Sequence, residues 1–234
     1  MSLPFFYTPF LSPTDTRISL DEDTSRHVIQ VLRMKTGELL HLTDGRGQRI
    51  TAAIAEAHKK QCIVTVTDMQ FFPRSEKNTT LAVSLLKQAD RFEWLLEKAT
   101  EIGVRNIIPL LCKRTEREKF RYERAHGICI SAMLQSQQCW LPELSEPVAF
   151  GDFLQSCQAS KKLIAHCEAD AGKRPLSQCG PFGEAALLIG PEGDFTPEEI
   201  AAAQQTGWIP VSLGSTRLRT ETAALLGAVL LQQV

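Results

Sequence analysis

The sequence predicts an α/β fold, a parallel sheet covered by helices, with a small β domain in front of it. Three stretches carry that prediction. Residues 1 to about 70 alternate polar and apolar positions between Gly- and Asp-rich turns, the signature of short, half-buried strands. The run LAVSLLKQADRFEWLLEKATEIGVRNIIPLL reads strand, amphipathic helix, strand, a unit whose strands must lie parallel. From Ala185 to Val234 the same alternation recurs, and both of its strands run into glycine, at Gly190 and Gly214.

In chain order, the front domain is expected to hold strands Thr16–Leu20, Leu39–Thr43, Arg49–Ala55 and Gln61–Met69, with a short helix Thr24–Arg33 between the first two. Asp44-Gly45-Arg46-Gly47 is a turn. Arg33 and Lys35, at that helix's end, are either solvated charges favoured by the helix dipole or contacts to a polyanion. Phe71 to Asn78 carries a proline and a charge cluster without a clear period and reads as a linker. The domains are therefore drawn as residues 1–72 and 79–234.

In the second domain Leu81–Leu86 is an apolar strand. Arg91–Ile102 is a helix with Phe92, Leu95, Leu96, Ala99 and Ile102 on one stripe, stopped by Gly103, and Asn106–Leu111 is the next strand. Lys113 to Arg124 holds six basic and three acidic residues. It is either a solvated helix face or a patch whose Lys113, Arg114 and Arg117 meet RNA phosphates. A helix through Ile128–Gln138, a helix Phe150–Cys157 and a strand Lys161–Cys167 follow, and then a polar loop from Asp170 to Gly183. His166, at that strand's end, is a structural histidine or a base.

The closing stretch has the clearest local chemistry. Thr196 is an N-cap, Pro197 the first helical residue and Glu199 the return arm of a capping box; Gly207 suits the helix stop. A strand Ile209–Leu213 and a polar loop lead to a second capped helix at Thr220-Glu221-Thr222. The run Ala223–Leu231 is apolar nearly all round, which implies a buried or partnered helix. In open α/β sheets, ligands sit beyond the carboxyl ends of the strands, so two neighbouring glycine-ended turns would line one pocket largely with backbone.

Composition sets bounds. At 234 residues and 43% hydrophobic, the chain suits one large or two modest domains. It has no apolar run of the length that spans a membrane, and its start does not read as a secretory signal. Seven cysteines without a CxxC pair, and five scattered histidines, do not suit a metal site and read as reduced, packed thiols of a cytoplasmic protein. A net charge of −1 means that any nucleic-acid surface must be local.

GPEGDFTPEEI followed by SLGSTRLRTETAALLGAVL resembles the cofactor-binding end of the SPOUT methyltransferases, and within them the RsmE family, which methylates uracil N3 in 16S ribosomal RNA. Lys98, the Glu101-Ile102-Gly103-Val104 turn and Arg114-Thr115-Glu116 match the same family. HVIQVLRMKTGE and LTDGRG resemble its front, PUA-like barrel, which presents RNA-contacting loops. The likeness spans nearly the whole chain and is strongest at 81–116 and 188–230. One departure stands out: where many family members read QSGR, this chain has Gln135-Ser136-Gln137-Gln138.

The resemblance implies a C-terminal trefoil knot, a homodimer joined through the last helix, and 16S rRNA or the small ribosomal subunit as partner. It implies S-adenosylmethionine as cofactor, with Leu188, Ile189, Gly190, Pro191, Glu192 and Gly193 in one wall of its site. The other wall is then Leu213, Gly214, Ser215, Leu218, Arg219, Thr220 and Thr222. Uracil N3 must lose a proton, and a guanidinium beside the ring would stabilise the anion. Arg219 is the first candidate, with a structural ion pair as its other reading, and Glu192 or Glu221 would take the proton. Rival functions are a nucleotide-cofactor oxidoreductase, for which the G-x-G-x-x-G turn is missing, a non-catalytic RNA-binding protein, and a methyltransferase acting elsewhere on RNA.

Overall fold

The computed structural model describes residues 3–12, 14–169 and 172–233. Its contacts divide the chain into a front unit, residues 1–74 with Met133–Leu141, and a rear unit, residues 75–132 with 142–234. The chain thus crosses between units more than once, and the sequence boundaries do not anticipate the second excursion.

The front unit contains β1 (Phe5–Tyr7), β2 (Arg17–Ser19), α1 (Glu22–Arg26), β3 (Leu39–Thr43), β4 (Gln48–Glu56) and β5 (Ile63–Phe71). Their sheet order is β1-β3-β4-β5-β2, antiparallel except where β1 lies parallel to β3. Its core is Leu40, Leu42, Ile50, Ala52, Ile54 and Val64 with Phe6 and Val28, the inward positions of alternating strands. β1 was not foreseen. The helix expected over Thr24–Arg33 begins earlier, because Asp21 caps it by accepting from Thr24 N. It passes into a π-helical turn, His27–Val31, and ends before Arg33, whose φ is +56°.

The rear unit runs β6 (Asn78–Ser84), α2 (Ala89–Ile102), β7 (Asn106–Leu111), α3 (Tyr122–Gln135), β8 (Glu143–Leu144), β9 (Val148–Ala149), α4 (Phe150–Ser156), β10 (Lys161–Ala165), β11 (Arg174–Pro175), β12 (Glu184–Ile189), α5 (Pro197–Gln205), β13 (Ile209–Ser212) and α6 (Thr220–Gln233). The end of α3 belongs to the front unit. The strands form a parallel sheet in the order β11-β13-β10-β12-β6-β7-β8, with β9 also on β7. One face of its core gathers Leu188, Ile164, Phe195, Phe150, Phe153 and Trp208.

Several boundaries shift for physical reasons. β6 starts at Asn78, not Leu81, because its polar first residues are satisfied: Asn106 Nδ2 donates to Asn78 Oδ1 at 3.0 Å and Asn78 Nδ2 to Glu184 Oε1 at 3.2 Å. Leu85 and Leu86 are still buried, but past the strand. Lys113 to Arg121 is irregular rather than a helix face. α3 begins at Tyr122, where Arg124 grips Glu93 of α2 with bonds of 2.5 and 2.7 Å. The loop expected from Asp170 to Gly183 contains β11 and a 3₁₀ turn, Leu176–Gln178; Asp170 and Ala171 lie outside the described residues.

α6 packs on α2, β6 and β12 through Ala224, Gly227, Ala228 and Leu231. Its far end is tied down by Gln232, whose Nε2 donates to Thr79 Oγ1 and to Gly103 O, both at 2.8 Å. Among the described residues no helix is long and apolar enough to cross a membrane, and five of the seven cysteines are buried.

Candidate functional site: a cleft at the carboxyl ends of the central strands

β10, β12 and β13 are neighbours in the sheet, so the loops that leave them open on the same edge. There they enclose a cleft of about 860 Å³, within the range of small-molecule and cofactor sites. Its walls include Ile189 at the end of β12 with Gly190, Pro191, Glu192 and Gly193 after it, and Leu213, Gly214, Ser215, Leu218 and Arg219 after β13 with Thr220 at the start of α6. Ala165 at the end of β10, the strand between them, and His166 and Cys167 just beyond it also line the cleft. The two glycine-ended turns therefore do face one space.

Each wall is held by local bonds. The β12 loop turns at Asp194, whose φ is +64°, a conformation that Asp tolerates better than most residues. Asp194 Oδ2 accepts from Cys167 N at 2.7 Å and Oδ1 from Phe195 N at 2.8 Å; the first bond draws the β10 end toward the loop and stops that strand at Ala165. At Gly190 a Cβ would sit 3.0 Å from Phe195 N and 3.1 Å from its ring, so this glycine lets Phe195 pack beneath the loop. α5 then starts on the predicted capping box, Thr196 with Glu199. After β13, Ser212 Oγ and Gly214 exchange bonds of 3.1 and 3.2 Å, and Gly214 sits at φ +136°.

The Arg114-Thr115-Glu116 segment proves to be a clamp. Arg114 Nη1 donates to Gly193 O at 2.6 Å and Phe195 O at 3.3 Å, so this exposed arginine is tied to the β12 loop and lines the cleft. Thr115 Oγ1 accepts from Cys112 N and bonds Ser84 Oγ, each at 2.8 Å. Glu116 meets Lys87 Nζ at 2.7 Å, and Glu199 Oε1 accepts from Lys113 N at 2.8 Å. Burial pushes the Cys112 thiol up to about 12, with the Glu199 carboxylate adding to the rise.

Two expected wall residues lie outside the lining. Leu188 is fully buried in the core cluster, and Thr222 is on the exposed side of α6. Of the expected catalytic pair, Arg219 is exposed on the cleft wall. Glu192 is also exposed, and one of its oxygens accepts from Lys87 N at 3.0 Å. Glu221 is buried and pairs with Arg91 across 3.5 Å. Arg91, Arg217, Lys173 and Asp194 also line the cleft and were missed: Asp194 and Arg217 lie within the GPEGDFTPEEI and SLGSTRLRTET stretches but were given no role, and Arg91 and Lys173 sit in no recognisable motif. Arg33, Lys35 and Lys113 are exposed and Arg117 half-buried, and none of the four is among the lining residues. Among the described residues no cluster of His, Cys, Asp and Glu is arranged to hold a metal ion.

The donor set suits S-adenosylmethionine. Its adenine and ribose call for backbone and small polar groups, which the two turns offer. Its methionine end carries both charges, and the lining supplies carboxylates and guanidinium groups together.

Comparison with known proteins agrees with that chemistry. Residues 73–232 match the profile of an RNA methyltransferase domain, and residues 20–67 that of an RNA methyltransferase PUA domain. The chain is 30% identical over 237 residues to the ribosomal RNA small subunit methyltransferase E of Mycobacterium bovis, covering 96% of this chain and 90% of that protein. The enzyme of the same name from Synechocystis is 30% identical over 217 residues, covering 89% and 70%. Among solved structures, that of ribosomal RNA small subunit methyltransferase E from Neisseria gonorrhoeae bound to S-adenosyl methionine superposes with a TM-score of 0.88 at 29% identity, over 99% of this chain and 97% of the other. A Legionella pneumophila methyltransferase in complex with SAM gives 0.87 at 32% identity, over 99% and 98%.

Proposed function

Because the chain belongs to the RNA methyltransferase family that includes the ribosomal RNA small subunit methyltransferases E, we propose that it methylates N3 of a uridine in 16S rRNA with S-adenosylmethionine. The observation that carries this reading is the two-walled cleft at the strand ends, lined by Gly190–Gly193 and Leu213–Thr220. Backbone groups of Ile189, Gly190, Leu213, Gly214 and Ser215 would hold the nucleoside part of the cofactor.

When bound, the cofactor supplies a methyl group on a positively charged sulfur. The protein must orient N3 toward it and stabilise the base after its proton leaves. Each unit by which the site lowers the N3 pKa requires about 1.4 kcal/mol of preference for the anion. Arg219, on the cleft wall, is the residue to supply it. Glu192 is the better proton acceptor of the two carboxylates. Glu221 is buried and its carboxylate is engaged by Arg91, whereas Glu192 is exposed on the cleft wall. Holding the reacting atoms in line provides much of the acceleration.

The N3 edge takes part in base pairing, so the target uridine must be unpaired or turned out of its helix. Arg33, Lys35, Lys113 and Arg117 are assigned here as phosphate contacts, and Arg114 as a residue that shapes the cleft. A ribosomal substrate makes the cytoplasm the site of action.

The homodimer and the trefoil knot belong to the same reading. The α6 side chains opposite its packed face, Leu226, Val229 and Leu230, are only half-buried, which supports a second copy seated there. The ties from Gln232 to Thr79 and Gly103 support a chain end held within the rear unit.

The test is methyl transfer to small subunits from cells lacking the gene, followed by mass mapping of the modified nucleosides. A methyl group found on a ribose or on another base would overturn the N3 assignment. No calorimetric heat with S-adenosylmethionine would overturn the cofactor site.

A further inference from the structure

The front unit carries an aromatic surface that the methyl-transfer reading does not use. β5 ends at Phe71, which is 64% exposed and meets Trp140 edge-on with ring centroids 6.1 Å apart. The Arg74 guanidinium lies 5.0 Å from the Trp140 ring, and that of Arg49 lies 4.5 Å from the ring of Phe72. Arg46 joins the same strip through a backbone bridge to Trp140.

The strip is rigidly built. Trp140 Nε1 donates to Phe72 O at 2.8 Å. Gly47 N donates to Cys139 O, and Phe72 N to Gly47 O, each at 2.8 Å. A Cβ on Gly47 would stand 2.6 Å from the Trp140 ring, so the indole is seated against bare backbone. Leu141 N closes the segment onto Gly45 O at 2.9 Å. Phe71, Phe72, Arg74 and Trp140 lie outside residues 20–67, the stretch that matches the PUA profile, and Trp140 arrives from the returning segment Met133–Leu141.

Flat rings held in place beside guanidinium groups match one chemistry closely, that of unpaired RNA. Every base has a face that stacks on an aromatic ring, and the flanking phosphates attract arginine. A buried core would have covered Phe71; a protein-docking site would call for a broader apolar area than this narrow strip alternating with charge.

We propose that Phe71, Trp140, Arg49 and Arg74 form a stacking platform for a single-stranded segment of the RNA substrate. Bases lie on Phe71 and against Trp140, and the two arginines meet the phosphates on either side. The platform rests on the rRNA reading above for its biological ligand, but its chemistry can be tested apart from methyl transfer.

The experiment uses the full chain with Trp94→Phe. Trp208 is 2% exposed, so quenching of fluorescence by added RNA then reports Trp140. Short single-stranded oligouridylate should quench it, and a duplex of equal length should not. Phe71→Ala should weaken oligouridylate binding about tenfold, and Phe71→Leu, apolar but without a flat ring, should do the same. Arg49→Ala and Arg74→Ala should each lower the slope of log affinity against log salt by about one. Calorimetry with S-adenosylmethionine should be unchanged in all four variants.

Unchanged quenching and affinity in Phe71→Ala would sink the platform. So would a variant that loses the small subunit but keeps naked oligouridylate, since the contact would then be to ribosomal protein. If the parent protein quenches as expected yet transfers no methyl group, the catalytic reading fails and the platform stands.

Discussion

At the scale of single residues, the cleft gathers charges from separate stretches of the chain, among them Arg91, Arg114, Lys173 and Arg219. The Gly-Pro-Glu-Gly turn and the Gly214 loop do line one cleft. Arg91 does not announce itself, because an arginine near the start of an amphipathic helix looks like any solvated charge; only the fold brings it to Glu221. Arg114 was legible as basic but not as a clamp, since its partners are carbonyls some eighty positions on. Arg219→Ala is expected to lower methyl transfer on the order of a hundredfold while calorimetry shows S-adenosylmethionine still bound, with Arg219→Lys recovering part of the rate. Equal losses of both would assign Arg219 to cofactor binding instead. Cys167 is exposed and lines the cleft, whereas the Cys112 thiol is buried and pushed up to about 12. Because the thiolate is the reactive form, iodoacetamide at about pH 8 should leave Cys112 untouched. It should label Cys167, more slowly with S-adenosylmethionine present, as read by peptide mass mapping.

At the scale of elements, end signals outperformed hydrophobic runs. The α5 capping box was foreseen residue by residue, because its chemistry is local. The starts of β6 and α3 were not, because each is set by a bond to a distant chain segment: Asn78 to Glu184, and Arg124 to Glu93. α6 shows a similar dependence. A Cβ at Gly227 would lie 2.3 Å from Cδ2 of the fully buried Leu187. Ala in place of Gly ordinarily favours a helix by about 1 kcal/mol, but overpacking a core costs about 1–3 kcal/mol. Gly227→Ala is therefore expected to lower the melting temperature, by about 2–4 °C for each net kcal/mol, in a thermal melt. A rise would mean that Leu187 turns aside freely.

At the scale of the whole molecule, the α/β class, the front β domain and the parallel sheet were legible, because periodicity and chain order determine them. The returning segment Met133–Leu141 was not, since no local pattern tells a loop which unit it will join. A saturating cofactor should raise stability by about 2.7 kcal/mol at a hundred times its Kd, read as an upward shift of the melt. Leu226→Glu, on the less-covered side of α6, should convert a dimer to a monomer in light scattering; a wild-type chain already monomeric would remove that helix from any assembly. The excursion of Met133–Leu141 also bears on how such a protein can be cut or recombined. A fragment ending at Arg74 would leave behind the indole that Gly47 is shaped to receive, and grafting the front unit onto another enzyme would import a gap. The two halves are thus bound to a shared inheritance: neither can be traded away at a single crossover in the gene.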